Sequence, residues 1–195
     1  STPPTAIRDK ARELMASAQR PLIIAGGGVG LANAAAELTN LAETLSAPVL
    51  TTVEGRGAIP ETHPLALGPN IDMSAMDSVM AQADVVIAVG TRFQQNTNVL
   101  KWLRFPGKLI HLDADPTMIG RIHPADVSLV GDAKLGLQAL LAAGLTASTH
   151  AEWIVACQAR RDEVVASNRS DVGPDVTAIM DAMAAALPPD AVVAK

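Results

Sequence analysis

Two carboxylates, Asp113 and Asp115, stand one residue apart at the end of the apolar run Lys108-Leu-Ile-His-Leu-Asp-Ala-Asp, and Pro116 then forbids a strand from continuing. Both acids therefore belong just past the carboxyl end of a buried strand. In an open parallel sheet that edge is where ligands bind, and carboxylates there accept hydrogen bonds from ribose hydroxyls. The chemistry expected of them is recognition of a nucleotide, with no bond broken.

Three other clusters repeat the theme. Gly26-Gly27-Gly28-Val29-Gly30 follows an apolar run and opens a helical pattern. Glycines in that position let a phosphate approach backbone N–H groups at a helix N-terminus. Gly26 and Gly28 fit the first two places of the fingerprint Gly-x-Gly-x-x-Gly, whereas Leu31 takes the third, and Glu54 stands where that motif carries its ribose-binding acid. A tight turn that simply packs helix on strand fits the same glycines equally well. In Gly90-Thr91-Arg92, the guanidinium fork matches phosphate oxygens. The competing reading is a surface arginine paired with an acid. Asp132, in Gly131-Asp132-Ala133, reads first as the N-cap of the helix after it and second as another ligand acid.

Catalytic constellations are missing from the sequence. It contains no Gly-x-Ser-x-Gly elbow, no Walker loop and no Cys-x-x-Cys. His63, His111, His123 and His150 lack metal-ligand spacing, so no metal site is expected in this chain. Cys157, the single cysteine, precludes an internal disulfide. It lies in a helical pattern and reads as a packed or surface thiol before it reads as a nucleophile.

The elements that must position these residues alternate regularly. Helical periodicity covers residues 5–19, 31–45, 74–83, 133–143, 151–167 and 175–187. Short apolar runs at 21–25, 48–53, 84–89, 108–112 and 126–130 read as strands, and a further strand begins at 191–194. Residues 116–121 form at most a turn or two of helix, and the polar run 167–174 reads as a linker. Strands that are apolar throughout, separated by helices, predict an α/β fold: a doubly wound parallel sheet flanked by helices.

Composition limits the function classes. Apolar residues make up 49% of 195, enough for a large core, and the net charge of −5 argues against a nucleic-acid surface. No apolar run approaches a membrane span, and the opening Ser1-Thr-Pro-Pro-Thr lacks the regions of a signal peptide, so a cytoplasmic location is expected. Tyrosine is absent, and two Trp and two Phe leave few platforms for stacking bases.

The sequence resembles the central domain of thiamine-diphosphate-dependent enzymes of the acetolactate synthase and decarboxylase group. The resemblance is carried, in order, by Arg20-Pro-Leu-Ile-Ile-Ala-Gly-Gly-Gly, Gly55-Arg-Gly-Ala-Ile-Pro-Glu-Thr-His-Pro-Leu-Ala-Leu-Gly, Ala83-Asp-Val-Val-Ile-Ala-Val-Gly-Thr-Arg-Phe, Ile110-His-Leu-Asp-Ala-Asp-Pro and Val130-Gly-Asp-Ala. Gly173-Pro-Asp-Val and Leu187-Pro-Pro-Asp-Ala-Val-Val look like the opening of the diphosphate-binding domain that follows in such enzymes. The resemblance implies a Rossmann-like, DHS-like nucleotide-binding fold over 1–168, with 169–195 as a linker and the truncated start of the C-terminal domain.

It further implies that the chemistry lies elsewhere. Thiamine diphosphate and Mg²⁺ would sit between the first and third domains of a full-length homodimer or homotetramer, so the missing N- and C-terminal domains are the expected partners. Middle domains of this family hold FAD, ADP or nothing. Carried over by position, the nucleotide-contacting residues would be Gly26, Gly27, Gly28, Thr52, Arg92, Asp113, Ile119, Asp132 and Ala133. Acetolactate synthases carry flavin-side patterns where this chain has Gly68-Pro-Asn-Ile-Asp-Met and Phe93-Gln-Gln-Asn. ADP is therefore expected ahead of FAD. A free-standing FAD- or ADP-binding module and an NAD-dependent oxidoreductase are the alternatives.

Overall fold

The structure, a computed structural model, describes residues 3–68, 76–93, 105–167, 176–188 and 191. The chain divides into two compact units, Ser1–Arg161 and Asp162–Lys195. The first begins with helix α1 (Thr5–Ser17), strand β1 (Pro21–Ala25), a short α2 (Gly27–Leu31), α3 (Ala35–Leu45) and β2 (Val49–Thr51). A 3₁₀ turn (Val53–Gly55), the one-turn α4 (Asp77–Met80), β3 (Val85–Val89), β4 (Lys108–Asp113), β5 (Val127–Val130) and α5 (Ala133–Leu141) follow. Helix α6 (Ala151–Ser167) crosses from the first unit into the second, where α7 (Val176–Ala186) lies. Among the described residues no helix is long and apolar enough to cross a membrane.

The five strands form one sheet in the order β2-β1-β3-β4-β5, and every neighbouring pair is parallel. This is the doubly wound α/β architecture expected from the apolar runs. β1 and β3 are buried at every position, as strands covered on both faces must be. The edge strand β5 alternates buried and exposed residues instead.

One face of the sheet carries Ile23, Ile87, Ile110 and Leu129, which join a single core cluster with Met15 of α1, Leu38 and Leu41 of α3, and Leu137 of α5. Leu38, Leu41 and Leu45 recur at helical spacing and are all buried, so each contributes about 2 kcal/mol of apolar burial. By the two-residue alternation of strands, Leu22, Ile24, Val86 and His111 face the other way. At the amino edge of the sheet, Trp153 donates its indole N–H to Pro21 O at 2.8 Å.

Several boundaries differ from the periodicity, each for a local reason. The expected helix at 31–45 is two helices broken at Asn33, which takes a left-handed φ of 51° that asparagine tolerates. Leu31, the first residue of the expected helix, instead ends the first piece and is 92% exposed. α1 stops at Ser17, two residues early, because the Asp84 carboxylate accepts the N–H groups of Gln19 and Arg20 at 2.8 and 2.9 Å. β2 stops at Thr51, because the Thr52 hydroxyl accepts Gly55 N–H at 3.0 Å and starts the 3₁₀ turn.

β4 runs one residue further than expected, so Asp113 is its last residue, paired with Val130. The linker from 168 onward, residues 74–75, and all of the strand at 191–194 except Ala191, which is not in a strand, lie outside the described residues.

Candidate functional site

The turns at the carboxyl edge of the sheet meet most closely between β1 and β3, where the strand order reverses and crossovers leave to opposite sides. A crevice is expected at that switch point. A cleft of about 580 Å³ lies there, walled by Gly27, Thr52, Arg92, Asp113 and Asp132 from the ends of β1 to β5, with Ala133 and Leu31 at its sides.

The glycines owe their identity first to backbone approach. A Cβ on Gly26 would lie 2.3 Å from Gly90 O, and one on Gly28 would lie 2.7 Å from Gly90 Cα. Gly90 itself needs φ +59°, which glycine adopts freely. Gly26 N–H donates to Val89 O, Gly28 N–H to Gly90 O at 3.0 Å, and Val29 N–H to Gly26 O. Those donors are already engaged, and α2 has only five residues. The tight-turn reading therefore accounts for Gly26 and Gly28. Gly27 and Gly28 line the cleft, while Gly26 caps α2 and is not among the lining residues.

The carboxylates are differently placed. Asp113 is 7% exposed and uses one oxygen to accept Asp115 N–H at 2.9 Å. Asp132 caps α5, accepting Leu135 N–H at 3.0 Å, which bears out the N-cap reading, and it also lines the cleft. The second oxygen of each has no protein partner among the described residues. Asp115 is not among the lining residues. Its carboxylate is bound by the hydroxyl and N–H of Thr117 at 2.7 and 2.9 Å. Those bonds hold its pKa below the usual carboxylate value, with a smaller contribution from the Arg92 charge.

Arg92 is exposed, lines the cleft, and makes no ion pair among the described residues. The guanidinium thus lines the cavity, and its charge also acts on Asp115. Thr52 and Ala133 line the cleft as well, whereas Ile119 sits half-buried in the turns after β4 and is not among the lining residues.

Phe93 and Thr91 also wall the cleft and were not among the expected contacts. The signal was available, because both follow β3 immediately. Phe93 holds a left-handed φ of 51°, and its ring packs at 5.0 to 5.9 Å from Phe105, His111 and His123. The flavin-side departures at 69–73 and 94–96 lie outside the described residues.

Cys157 is fully buried, and burial pushes its thiol up to about 12, which removes it as a nucleophile. Among the described residues no three His, Cys, Asp or Glu side chains are grouped to hold a metal ion.

The family profile described as thiamine pyrophosphate enzyme, central domain, matches residues 8–140, which include every strand and the whole cleft. The chain belongs to that family. The central domain is 45% identical over 138 residues to a probable acetolactate synthase large subunit of Methanocaldococcus jannaschii, covering 69% of this chain and 23% of that protein. It is 36% identical over 183 residues to a probable 2-ketoarginine decarboxylase AruI of Pseudomonas aeruginosa, covering 94% and 32%. A glyoxylate carboligase of Escherichia coli O157:H7 is 34% identical over 176 residues, covering 85% and 30%. The central domain thus spans roughly a quarter to a third of the length of these relatives.

Proposed function

We propose that this chain is the non-catalytic, nucleotide-binding middle part of a thiamine-diphosphate-dependent enzyme that decarboxylates a 2-oxo acid, and that its cleft takes an adenine nucleotide, ADP in preference to FAD. The observation that carries this reading is that Asp113 and Asp132, each with one oxygen unpartnered among the described residues, line one cleft with Arg92, which makes no ion pair among those residues. Two carboxylate oxygens able to accept from ribose hydroxyls, with one guanidinium able to donate to phosphate, suit a nucleotide.

In the full-length protein, thiamine diphosphate supplies the electron sink for the carbanion formed on decarboxylation. Its site and its Mg²⁺ belong to the preceding and following domains, in a dimer or tetramer. Residues 169–195 are a linker and the start of the following domain. The exposure of Ile179, Met180 and Met183 on α7 supports this, because such a helix face is ordinarily covered by further protein.

Calorimetric titration of ADP and FAD into the chain and into Asp113→Ala tests the reading. Loss of a buried charged hydrogen bond costs about 1.5–3 kcal/mol, so ADP affinity should fall at least roughly tenfold. Tight FAD binding unaffected by the substitution would refute the ADP assignment, and failure of both ligands would refute the nucleotide reading.

A further inference from the structure

We propose that His111 is a positioning residue: its hydrogen bond to Thr91 O fixes the turn after β3 so that Arg92 stands over the phosphate side of the cleft. The proposal rests on the nucleotide reading only for the name of that side. The geometry itself stands apart from any ligand.

His111 lies in the middle of β4, 1% exposed, two residues before Asp113 on the same face. Its Nε2 is 2.9 Å from Thr91 O. A carbonyl only accepts, so Nε2 must carry the proton. Burial lowers the pKa of the imidazole, which keeps it in that neutral, donating form. The other nitrogen, Nδ1, is buried with no hydrogen-bond partner among the described residues. A residue that only filled this space would be better apolar, since an unsatisfied buried polar atom is costly. The bond to Thr91 is what an imidazole gains here.

Thr91–Phe93 needs holding. Phe93 is in the left-handed region, a conformation that persists for a bulky residue only where its surroundings impose it. Those surroundings are the His111 ring at 5.4 Å and the His123 ring at 5.0 Å, with Phe105 at 4.8 Å from His123. Phe93 N–H also donates to the Thr91 hydroxyl at 3.3 Å. Arg92 lies between two clamped residues.

Two variants separate the bond from the ring. His111→Phe keeps a flat ring and loses the donor, while His111→Gln places an amide N–H near the position of Nε2. The first measurement needs no ligand: trypsin cleavage after Arg92, identified by mass and corrected for global stability by urea unfolding. Loss of the bond should raise cleavage by about three- to tenfold in His111→Phe, while His111→Gln stays within about twofold of the parent.

The second measurement compares ADP with adenosine. His111→Phe should weaken ADP by about three- to tenfold and leave adenosine unchanged, and adding it to Arg92→Ala should weaken ADP no further. Unchanged cleavage in His111→Phe, raised cleavage in His111→Gln, or equal losses of ADP and adenosine would overturn the proposal. If His111→Phe does not fold, protection at Arg92 in His111→Gln decides the matter by itself. Cleavage that follows expectation in a chain that binds neither ligand upholds the positioning role and refutes the nucleotide reading.

Discussion

The two edges of the sheet use aspartate in opposite ways. At the amino edge, both oxygens of Asp84 accept backbone N–H groups, from Gln19 and Arg20, and both oxygens of Asp126 are taken, by Lys108 Nζ and Leu109 N–H, each at 2.9 Å. At the carboxyl edge, Asp113 and Asp132 line the cleft and each use one oxygen on a nearby N–H, while the other has no protein partner among the described residues. A second cavity of about 470 Å³, with Arg20, His150 and Trp153 in its wall, lies at the amino edge. Cavity size and an arginine therefore do not distinguish the edges. What differs is how the aspartates are used: Asp84 and Asp126 have both oxygens taken by the fold, whereas Asp113 and Asp132 each leave one oxygen without a protein partner among the described residues.

The largest expected effect comes from the glycine contacts that shape the carboxyl edge. In Gly55→Ala, a Cβ would lie 2.1 Å from Ala25 O, so backbone must shift. Urea unfolding should show a loss of about 3 kcal/mol. Gly30→Ala, with nothing within 4 Å, should be neutral or slightly stabilising. Equal effects from the two would break the claim that packing, before ligand contact, selects the glycines.

Next in size is Asp84→Ala, which strands two N–H groups at the end of α1 and should cost about 1–2 kcal/mol with no effect on ADP affinity. Asp132→Ala should cost about 1 kcal/mol through its lost cap and weaken ADP as well. A pair of variants that lost stability and binding in the same proportion would erase the contrast between the edges.

The smallest effect is one of pH. Lys108 and Leu109 N–H lower the Asp126 pKa below its ordinary value of 3.8. A depressed folded-state pKa gives stability that is present above the ordinary value and fades as pH falls through the folded one. The urea midpoint of Asp126→Asn should therefore lie below that of the parent at pH 7 and approach it on acidification below about pH 4. A gap that widened in acid would have the wrong sign.

The contrast also marks how far sequence could be read. The strands were legible because apolar runs between turn residues can only be buried, and the acids at the ends of β4 and β5 were legible because parallel strands all end on one edge. The break at Asn33, and with it the exposure of Leu31, was not. A three-residue interruption leaves the 3.6-residue period almost in phase, so periodicity alone cannot locate it. The glycines were ambiguous for a related reason. Spacing cannot tell a residue that admits a phosphate from one that admits Gly90, since both need the same missing Cβ. Ile119 and Gly26 matched by position along the chain, yet the turns carry them beside the cleft and not into its wall.

The most direct measurement of the account is the pattern of backbone amide shifts as ADP is added to the isotopically labelled chain. The account predicts that the amides of Gly27, Thr52, Arg92, Asp113 and Asp132 move together, while those of Arg20, Asp84 and Asp126 stay fixed. Shifts centred on Arg20 and Trp153 would place the ligand at the wrong edge and contradict it.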